Sequence, residues 1–150
     1  MTQEEKQLLL VDLCGRLPYG VKIELTNNGY HHENIAKRGD KTVDTLKGFT
    51  DNYFTIHHNN SLDWYWACSE IDIEDIKPYL FPLSSMSKKQ CYELSSIRSS
   101  FQDCWKYIKT PIPLSICNFK QIEWFHKNHF DYRGLIEKGL AIGATGLNIY

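Results

Sequence analysis

Between residues 20 and 68 the chain alternates apolar and polar side chains in short runs, and turn-forming residues separate these runs. The first run is Val21–Leu25, where every second side chain is apolar. Because successive side chains of a strand point to opposite faces, this spacing predicts a half-buried strand. Asn27–Gly29 follows, and residues of these types tolerate positive φ, so a tight turn is expected there.

Three later runs are also predicted strands: Thr42–Phe49, Tyr53–His58 and Leu62–Cys68. The residues between the last two, His58–Ser61, are typical of a hairpin loop. Short strands joined by tight turns predict an antiparallel meander of four or five strands. Such a meander either stays open or curls into a small barrel, and the pattern is compatible with both arrangements.

A helix is predicted before the meander. Thr2 and Glu5 form a capping box, in which the side chain of each residue accepts the backbone N–H of the other. Apolar residues then follow at helical spacing. Gly15 is expected to end this helix in the left-handed conformation, and Pro18 prevents its continuation.

Of the helices predicted after the meander, two start from capping boxes. Ser87 with Gln90 starts a helix that extends to about Arg98, and Asn118 with Gln121 starts the next one. The face of this last helix that is expected to be buried consists of Phe119, Ile122, Trp124 and Phe125.

The segment between the meander and these helices is ambiguous. Asp72 is a candidate cap for a short helix that ends before Pro78, and Phe81–Met86 is then a connector out of the sheet. Taken together, the patterns predict an α+β fold over residues 1–150 as a single domain. It has an N-terminal helix, an antiparallel four- to five-stranded β meander that is open or barrel-like, and C-terminal helices.

Charge and cysteine content exclude several classes of partner. The net charge is −1 and the lysines are scattered, so the basic patch required by double-stranded nucleic acid is missing. The five cysteines contain no CxxC pair, which favours free thiols in a reducing cytoplasm. No apolar run approaches the roughly 18 residues of a membrane span. The acidic, polar start of the chain differs from a signal peptide. We therefore expect a cytoplasmic protein without a membrane partner or a cofactor.

The stretch "HKNHFDYRGLIEKGL", residues 126–140, concentrates side chains that are capable of chemistry. His126, His129 and Asp131 are spaced so that they could ligate a transition metal, and catalytic zinc sites commonly use three such ligands. The same residues could serve in acid–base catalysis. However, the stretch contains no HExxH pattern and no second ligand cluster accompanies it. Neither a metal site nor a catalytic site is therefore predicted.

A corner between two helices explains more of this stretch. The preceding helix is expected to end near Asn128, and Asp131 is well placed as the N-cap of a short helix over Tyr132–Lys138. Gly139 follows this helix, where a left-handed cap is common. The sequence therefore predicts a helical corner at this place.

Arg133 is the residue of this corner with the clearest functional interest. In the first turn of a helix, a positive charge opposes the helix dipole unless an anion or a carboxylate lies nearby. A bound phosphate would provide such an anion. The alternative is a surface ion pair between Arg133 and either Asp131 or Glu137.

Trp64, Tyr65 and Trp66 form the most suggestive binding feature. On a strand, Trp64 and Trp66 share one face and Tyr65 lies on the other, so one of the two faces is left for a ligand or partner if the other is core. Aromatic side chains stack on nucleobases with about 1–3 kcal/mol per base. The alternative is that the tryptophans are core residues and Tyr65 packs under a helix.

Three blocks of the sequence resemble small uncharacterised proteins of phages and prophages of gut Bacteroidetes. The blocks are "EEKQLLLVDLCGRLPYGVK", "IEDIKPYLFPLSSM" and "HFDYRGLIEKGLA", and they cover about a third of the chain. The chain departs from these proteins over Gly29–Trp66. It also carries Asn128-His129 where they often have paired histidines. The resemblance brings no catalytic residues with it.

This resemblance implies a phage accessory protein that acts in the cytoplasm of the bacterial host. One strategy of such proteins is a sponge, a non-enzymatic oligomer that sequesters a nucleotide immune signal. On that hypothesis Trp64, Tyr65 or Trp66 stacks on a base, and Arg133 or Arg38 contacts phosphate. The alternatives are a phosphodiesterase-like hydrolase that degrades the signal, and an inhibitor that binds a host defence protein.

Overall fold

The computed structural model describes residues 1–25, 43–49, 73–97 and 117–150, and the backbone of residues 54–58. The predicted turn at Asn27–Gly29 and the predicted strand Leu62–Cys68 lie outside the described residues. The chain divides into two compact units. One comprises Met1–Tyr79 with Ile149–Tyr150, and the other comprises Leu80–Asn148.

The first helix, α1, is Gln3–Arg16, and the capping box that starts it is confirmed. The Thr2 N–H donates to Glu5 over 2.8 Å, and the Glu5 N–H donates to the Thr2 hydroxyl oxygen over 3.2 Å. The predicted end at Gly15 is wrong, because the helix includes Gly15 and a 3₁₀ turn follows it. The left-handed residue is instead Gly20, with a φ of +66°. Pro18 is accepted because it lies in the first turn of the 3₁₀ helix, where its missing N–H is not needed.

Four strands of the first unit pair side by side in the order β3-β2-β1-β4, and each pair is antiparallel. The strands are β1 (Lys22–Leu25), β2 (Val43–Phe49), β3 (Phe54–His58) and β4 (Ile76–Pro82). The predicted strands at Val21–Leu25, Thr42–Phe49 and Tyr53–His58 are thus confirmed within one residue or two. A bulge between Leu46 and Gly48 interrupts the register of β2 with β3.

Strand β4 was not expected, because a short helix that ends before Pro78 and a connector over Phe81–Met86 were predicted here. A 3₁₀ turn, Ile73–Asp75, directly precedes it, and Asp72 lies outside the described residues. The consecutive side chains of Pro78, Tyr79 and Leu80 are all buried, so both faces of β4 are covered. Burying a large apolar side chain contributes about 1.5–3 kcal/mol, whereas a missing hydrogen bond costs about 0.5–1.5 kcal/mol. The free energy gained by burying these side chains therefore exceeds the cost of the hydrogen bonds that the prolines cannot donate.

The described part of the second unit contains the end of β4, two short strands and two helices. Strand β5 (Phe130–Asp131) runs parallel to β4, with Phe81 opposite Phe130. Strand β6 (Ile142–Gly143) also pairs with β4, and the Ala144 N–H donates to the Leu80 carbonyl over 2.8 Å. The α+β class is confirmed. The described strands form a mixed, open sheet rather than an entirely antiparallel or barrel-like one.

The helices of this unit, α2 (Lys88–Ser96) and α3 (Phe119–Lys127), both begin at their predicted capping boxes. They cover a core cluster that consists of Leu83, Met86, Cys91, Leu94, Phe125, Phe130 and Tyr132. Phe119 was predicted to be buried and is instead 78% exposed. It is the first residue of α3, whereas the other three residues predicted for the buried face pack on the core cluster. Phe125 is fully buried there, and Ile122 and Trp124 pack partly against the cluster.

Candidate functional site

Arg133 is the one predicted ligand-binding residue that the structure describes. Trp64, Tyr65, Trp66 and Arg38 lie outside the described residues. The site is therefore built from the end of α3 and the segment after it, all within the second unit.

The chain turns sharply at the end of α3. Asn128 is the C-cap, and its side-chain amide donates to the Trp124 carbonyl over 2.9 Å. His129 then adopts a φ of +56°, in the left-handed region that histidine tolerates better than most residues. The His129 carbonyl accepts the Phe81 N–H over 2.8 Å, which joins this corner to β4. The turn predicted at His129-Phe130 is therefore present, but it leads into a strand and not into a second helix.

The short helix predicted over Tyr132–Lys138 is absent, and turns occupy this segment. Asp131 lies in β5 and is not the N-cap of a helix, because it does not accept the N–H groups two or three residues further along the chain. Its two carboxylate oxygens accept the N–H groups of Leu135 and Ile136, over 2.9 and 2.8 Å. Gly134, with a φ of +74°, breaks the helical path. Gly139 has the predicted positive φ, of +71°.

The two oxygens of Asp131 are thus engaged in folding the loop, and the residue is 5% exposed. Within the described parts of the chain, no group of three histidine, cysteine or acidic side chains is arranged to hold a metal ion. His126, His129 and Asp131 do not converge there as three ligands of one ion. The geometry of the corner is explained by backbone hydrogen bonds.

What the corner does bring together is a chain of three side chains, His126, Tyr132 and Arg133, which we call the corner triad. The His126 Nε2 atom and the Tyr132 hydroxyl oxygen are 2.9 Å apart. The Arg133 Nε–H donates to the same oxygen over 3.0 Å. The Arg133 guanidinium carbon also lies 5.1 Å from the centre of the Tyr132 ring, within the range of a cation–π contact.

Stacked aromatic rings hold the tyrosine of the triad in place. The Phe125 and Tyr132 rings stack with centroids 5.0 Å apart and an angle of 16°. Trp124 stacks on Phe130 at 5.6 Å and 4°, and it meets Phe125 edge-on at 5.7 Å. Tyr132 is fully buried. The position of its hydroxyl is therefore set by packing, and the triad rests on a rigid base.

Arg133 itself is half-buried and follows a strand, so the predicted place in a first helical turn is wrong. Of the partners expected for it, Asp131 directs both carboxylate oxygens to backbone N–H groups. The partner that the sequence did not reveal is Tyr132. The only signal was that this tyrosine stands between a histidine six residues earlier and the arginine, in a segment expected to turn.

Two aromatic side chains of the second unit are strongly exposed. Tyr92 on α2 is 80% exposed and Phe119 at the start of α3 is 78% exposed. Tyr92 also lines a shallow groove of about 500 Å³ together with Lys88, Lys89, Glu93 and Ser96. Aromatic residues are enriched in protein interfaces, so these side chains are relevant to a protein partner.

Comparison of the chain with protein-family models, with curated proteins and with solved structures found no match. Within the described residues, no helix combines the length and the apolar character that a membrane crossing requires.

Proposed function

We propose that the chain is a phage accessory protein that binds and sequesters a nucleotide-derived immune signal in the host cytoplasm, without catalysis. The ligand class is a cyclic nucleotide or a molecule of the cyclic ADP-ribose type. The resemblance of three sequence blocks to phage and prophage proteins supports the biological setting. The corner triad supports recognition of phosphate.

The observation that carries this proposal is the way Arg133 is held. A guanidinium offers five N–H donors in a planar fork that matches the oxygens of a phosphate group. The Tyr132 hydroxyl accepts one of these donors, the Nε–H, over 3.0 Å, and the guanidinium carbon lies 5.1 Å from the centre of the Tyr132 ring. Because tyrosine is neutral, this contact orients the guanidinium without cancelling its positive charge. An oriented and charged arginine suits the binding of an anion.

The same geometry favours binding over hydrolysis. A hydrolase of the alternative type would use His126, His129 and Asp131 together. The ring of His126 is engaged with Tyr132, and both oxygens of Asp131 accept backbone N–H groups. In these contacts His126 and Asp131 stabilise the local structure, whereas a hydrolase would need them for proton transfer or metal binding.

The base of the ligand is assigned to the aromatic run Trp64, Tyr65 and Trp66, and Arg38 is a second candidate for contact with phosphate. Stacking on one or two of these rings would add about 1–3 kcal/mol per base. A homo-oligomer, in which each copy supplies one such site, fits a protein that acts by sequestration. Size-exclusion chromatography with light scattering measures the number of copies.

Titration calorimetry against cyclic dinucleotides and cyclic ADP-ribose isomers tests the proposal. We expect tight binding, with the ligand recovered intact by mass spectrometry after incubation. Arg133→Ala should weaken this binding about tenfold to a hundredfold, since a hydrogen bond to a charged group contributes about 1.5–3 kcal/mol. Lys138→Ala is the matched control, because it removes one exposed positive charge from the same loop.

The possible results separate the three functions. Recovery of a cleaved ligand would reject the sponge and support the hydrolase. No heat of binding across the panel would instead favour the inhibitor of a host protein. The exposed rings of Tyr92 and Phe119 give that second candidate a definite surface. A pull-down that is lost in Tyr92→Ser but retained in Arg133→Ala would identify it.

A further inference from the structure

We infer that His126 and Tyr132 are positioning residues for Arg133, and that neutral His126 accepts a hydrogen bond from the Tyr132 hydroxyl at its Nε2 atom. One consequence of this inference, a higher affinity for a phosphate-bearing ligand, rests on the proposed function. Its structural part concerns the direction of two hydrogen bonds and can be tested on the free protein.

The direction of the first bond is fixed by arginine. The Nε atom of a guanidinium carries a hydrogen at every pH of interest and has no acceptor capacity. In the contact of 3.0 Å, Arg133 therefore donates and the Tyr132 oxygen accepts. The hydroxyl hydrogen of Tyr132 is not used in this bond, and the His126 Nε2 atom lies 2.9 Å from the same oxygen, within reach of that hydrogen.

The charge on Arg133 favours a neutral His126. If His126 were protonated, its Nε2–H would also donate to the Tyr132 oxygen. Two positively charged groups would then meet at one buried atom, and like charges at such a distance repel strongly in a medium of low dielectric constant. A neutral His126 avoids this repulsion, and we assign its hydrogen to Nδ1 so that Nε2 accepts the hydroxyl hydrogen of Tyr132.

Other titratable groups surround the triad and belong to its electrostatic setting. Glu123 and Lys127 are exposed and lie within one turn of His126 on α3, and Cys91 on α2 belongs to the same core cluster as Tyr132. On the loop, His129 is buried beside the helix end, and Asp131 points its carboxylate at backbone N–H groups. Arg133 is the charged group in direct contact with the tyrosine oxygen.

This arrangement gives the two residues distinct tasks. Phe125 and the surrounding core fix the ring of Tyr132, and His126 fixes the rotation of its hydroxyl. A hydroxyl hydrogen that points at His126 leaves a lone pair toward Arg133. The guanidinium is then oriented before a ligand arrives, which reduces the ordering cost of binding.

Nitrogen-15 NMR of the free protein is the decisive experiment. At neutral pH we expect the His126 signals of an imidazole that is protonated at Nδ1 and unprotonated at Nε2, and we expect a resolved Arg133 Nε–H signal that exchanges slowly with water. Tyr132→Phe keeps the ring that Phe125 stacks on but removes the hydroxyl, so the Arg133 signal should shift and exchange faster. A proton on Nε2, or an Arg133 signal unchanged by Tyr132→Phe, would overturn the inference.

A pair of His126 variants separates positioning from folding. Gln places a carbonyl oxygen near the Nε2 position, whereas Leu fills similar space without any acceptor. We expect His126→Gln to retain the slowly exchanging Arg133 signal and His126→Leu to lose it, with circular dichroism showing that both variants are folded. Equal loss in both folded variants would contradict the positioning role.

Inorganic pyrophosphate is the probe for the binding consequence. In the wild-type protein its addition should shift the Arg133 Nε–H signal, and the apparent Kd should rise about tenfold in Tyr132→Phe, as expected for one charge-assisted hydrogen bond. No shift with pyrophosphate, while the free-protein signals are as expected, would reject phosphate binding at Arg133 and leave the hydrogen-bond directions standing. The two failures are therefore distinguishable.

Discussion

Arg16 and Arg133 belong to different compact units and are held by different chemistry. Arg16 is fully buried in the last turn of α1, and the carboxylate of Asp12, one turn earlier, accepts its Nε–H over 2.6 Å and an Nη–H over 3.1 Å. Arg133 is half-buried and contacts a neutral tyrosine. A buried carboxylate cancels the charge of the first arginine, whereas a hydroxyl only orients the second. On the proposed function, Arg16 serves the fold and Arg133 serves a ligand.

The largest expected effect tests the structural side of this comparison. Asp12→Ala should lower the free energy of unfolding by about 3–5 kcal/mol, because it leaves the Arg16 charge buried without its carboxylate. Urea denaturation followed by circular dichroism measures this change. The double variant Asp12→Leu, Arg16→Met removes both charges and should recover most of the loss. A loss below about 1 kcal/mol in Asp12→Ala would show that Arg16 relaxes toward water, and the contrast with Arg133 would disappear.

A smaller effect is expected from the tyrosine of the corner triad. Tyr132→Phe keeps the stacked ring and removes one hydroxyl, so it should cost about 0.5–1.5 kcal/mol in the free energy of unfolding. Phe125→Ala, which opens a cavity in the same cluster, should cost about 3–5 kcal/mol and serves as the reference for damage to the core. A cost of Tyr132→Phe as large as that of Phe125→Ala would mean that the hydroxyl is essential to the fold itself.

The sequence predicted those parts of the molecule that short-range hydrogen bonds determine. All three capping boxes, at Thr2, Ser87 and Asn118, are present because a side chain and a backbone N–H three residues apart can pair without help from the rest of the chain. The strand Ile76–Pro82 was missed because its prolines disfavour a strand locally, and only burial on both faces explains it.

The candidate site shows the same limit at the level of single residues. Arg133 was selected from its expected place in a helix, and the place was wrong although the residue does lie in a cluster of hydrogen bonds. Its partners could not be predicted from the sequence. Asp131, which was one expected partner, instead accepts the N–H groups of Leu135 and Ile136. A two-residue strand and a left-handed Gly134 determine these contacts, and neither has a sequence signature of its own.

The hydroxyl of Tyr150, in the first unit, is expected to make the stability of the protein depend on pH. The Tyr150 hydroxyl accepts the Lys22 N–H over 3.1 Å and donates to the Tyr79 carbonyl over 2.7 Å. Burial raises the pKa of Tyr150 from 10.0 to about 12, against the opposing influence of the Lys22 hydrogen bond and the Arg16 charge. A raised pKa in the folded state means that the stability contribution is complete below pH 10 and is lost as the pH rises toward 12.

Tyr150→Phe should therefore flatten the fall of stability between pH 10 and 12, which urea midpoints at several pH values measure. The effect is expected to be small, because 43% of the residue is exposed and solvent screens it. Tyr92→Phe, which changes a largely exposed hydroxyl of the other unit, is the matched control and should leave the profile unchanged. An identical profile in wild type and Tyr150→Phe would contradict the assignment.

The smallest expected effect on stability belongs to Arg133, and it is the most informative one. Arg133→Ala should lower the free energy of unfolding by about 0.5 kcal/mol, the low end of the range for one hydrogen bond, since the guanidinium is half-buried and water replaces part of its contact with Tyr132. The affinity for a nucleotide ligand should nevertheless fall, because the oriented fork is lost. Arg133→Lys keeps the positive charge but cannot reproduce the Nε–H contact, so it should restore only part of the affinity. Denaturation and calorimetry on the same two variants give both quantities. If Arg133→Ala destabilises the protein as strongly as Asp12→Ala does, both arginines are structural, and the ligand must be sought elsewhere in the chain.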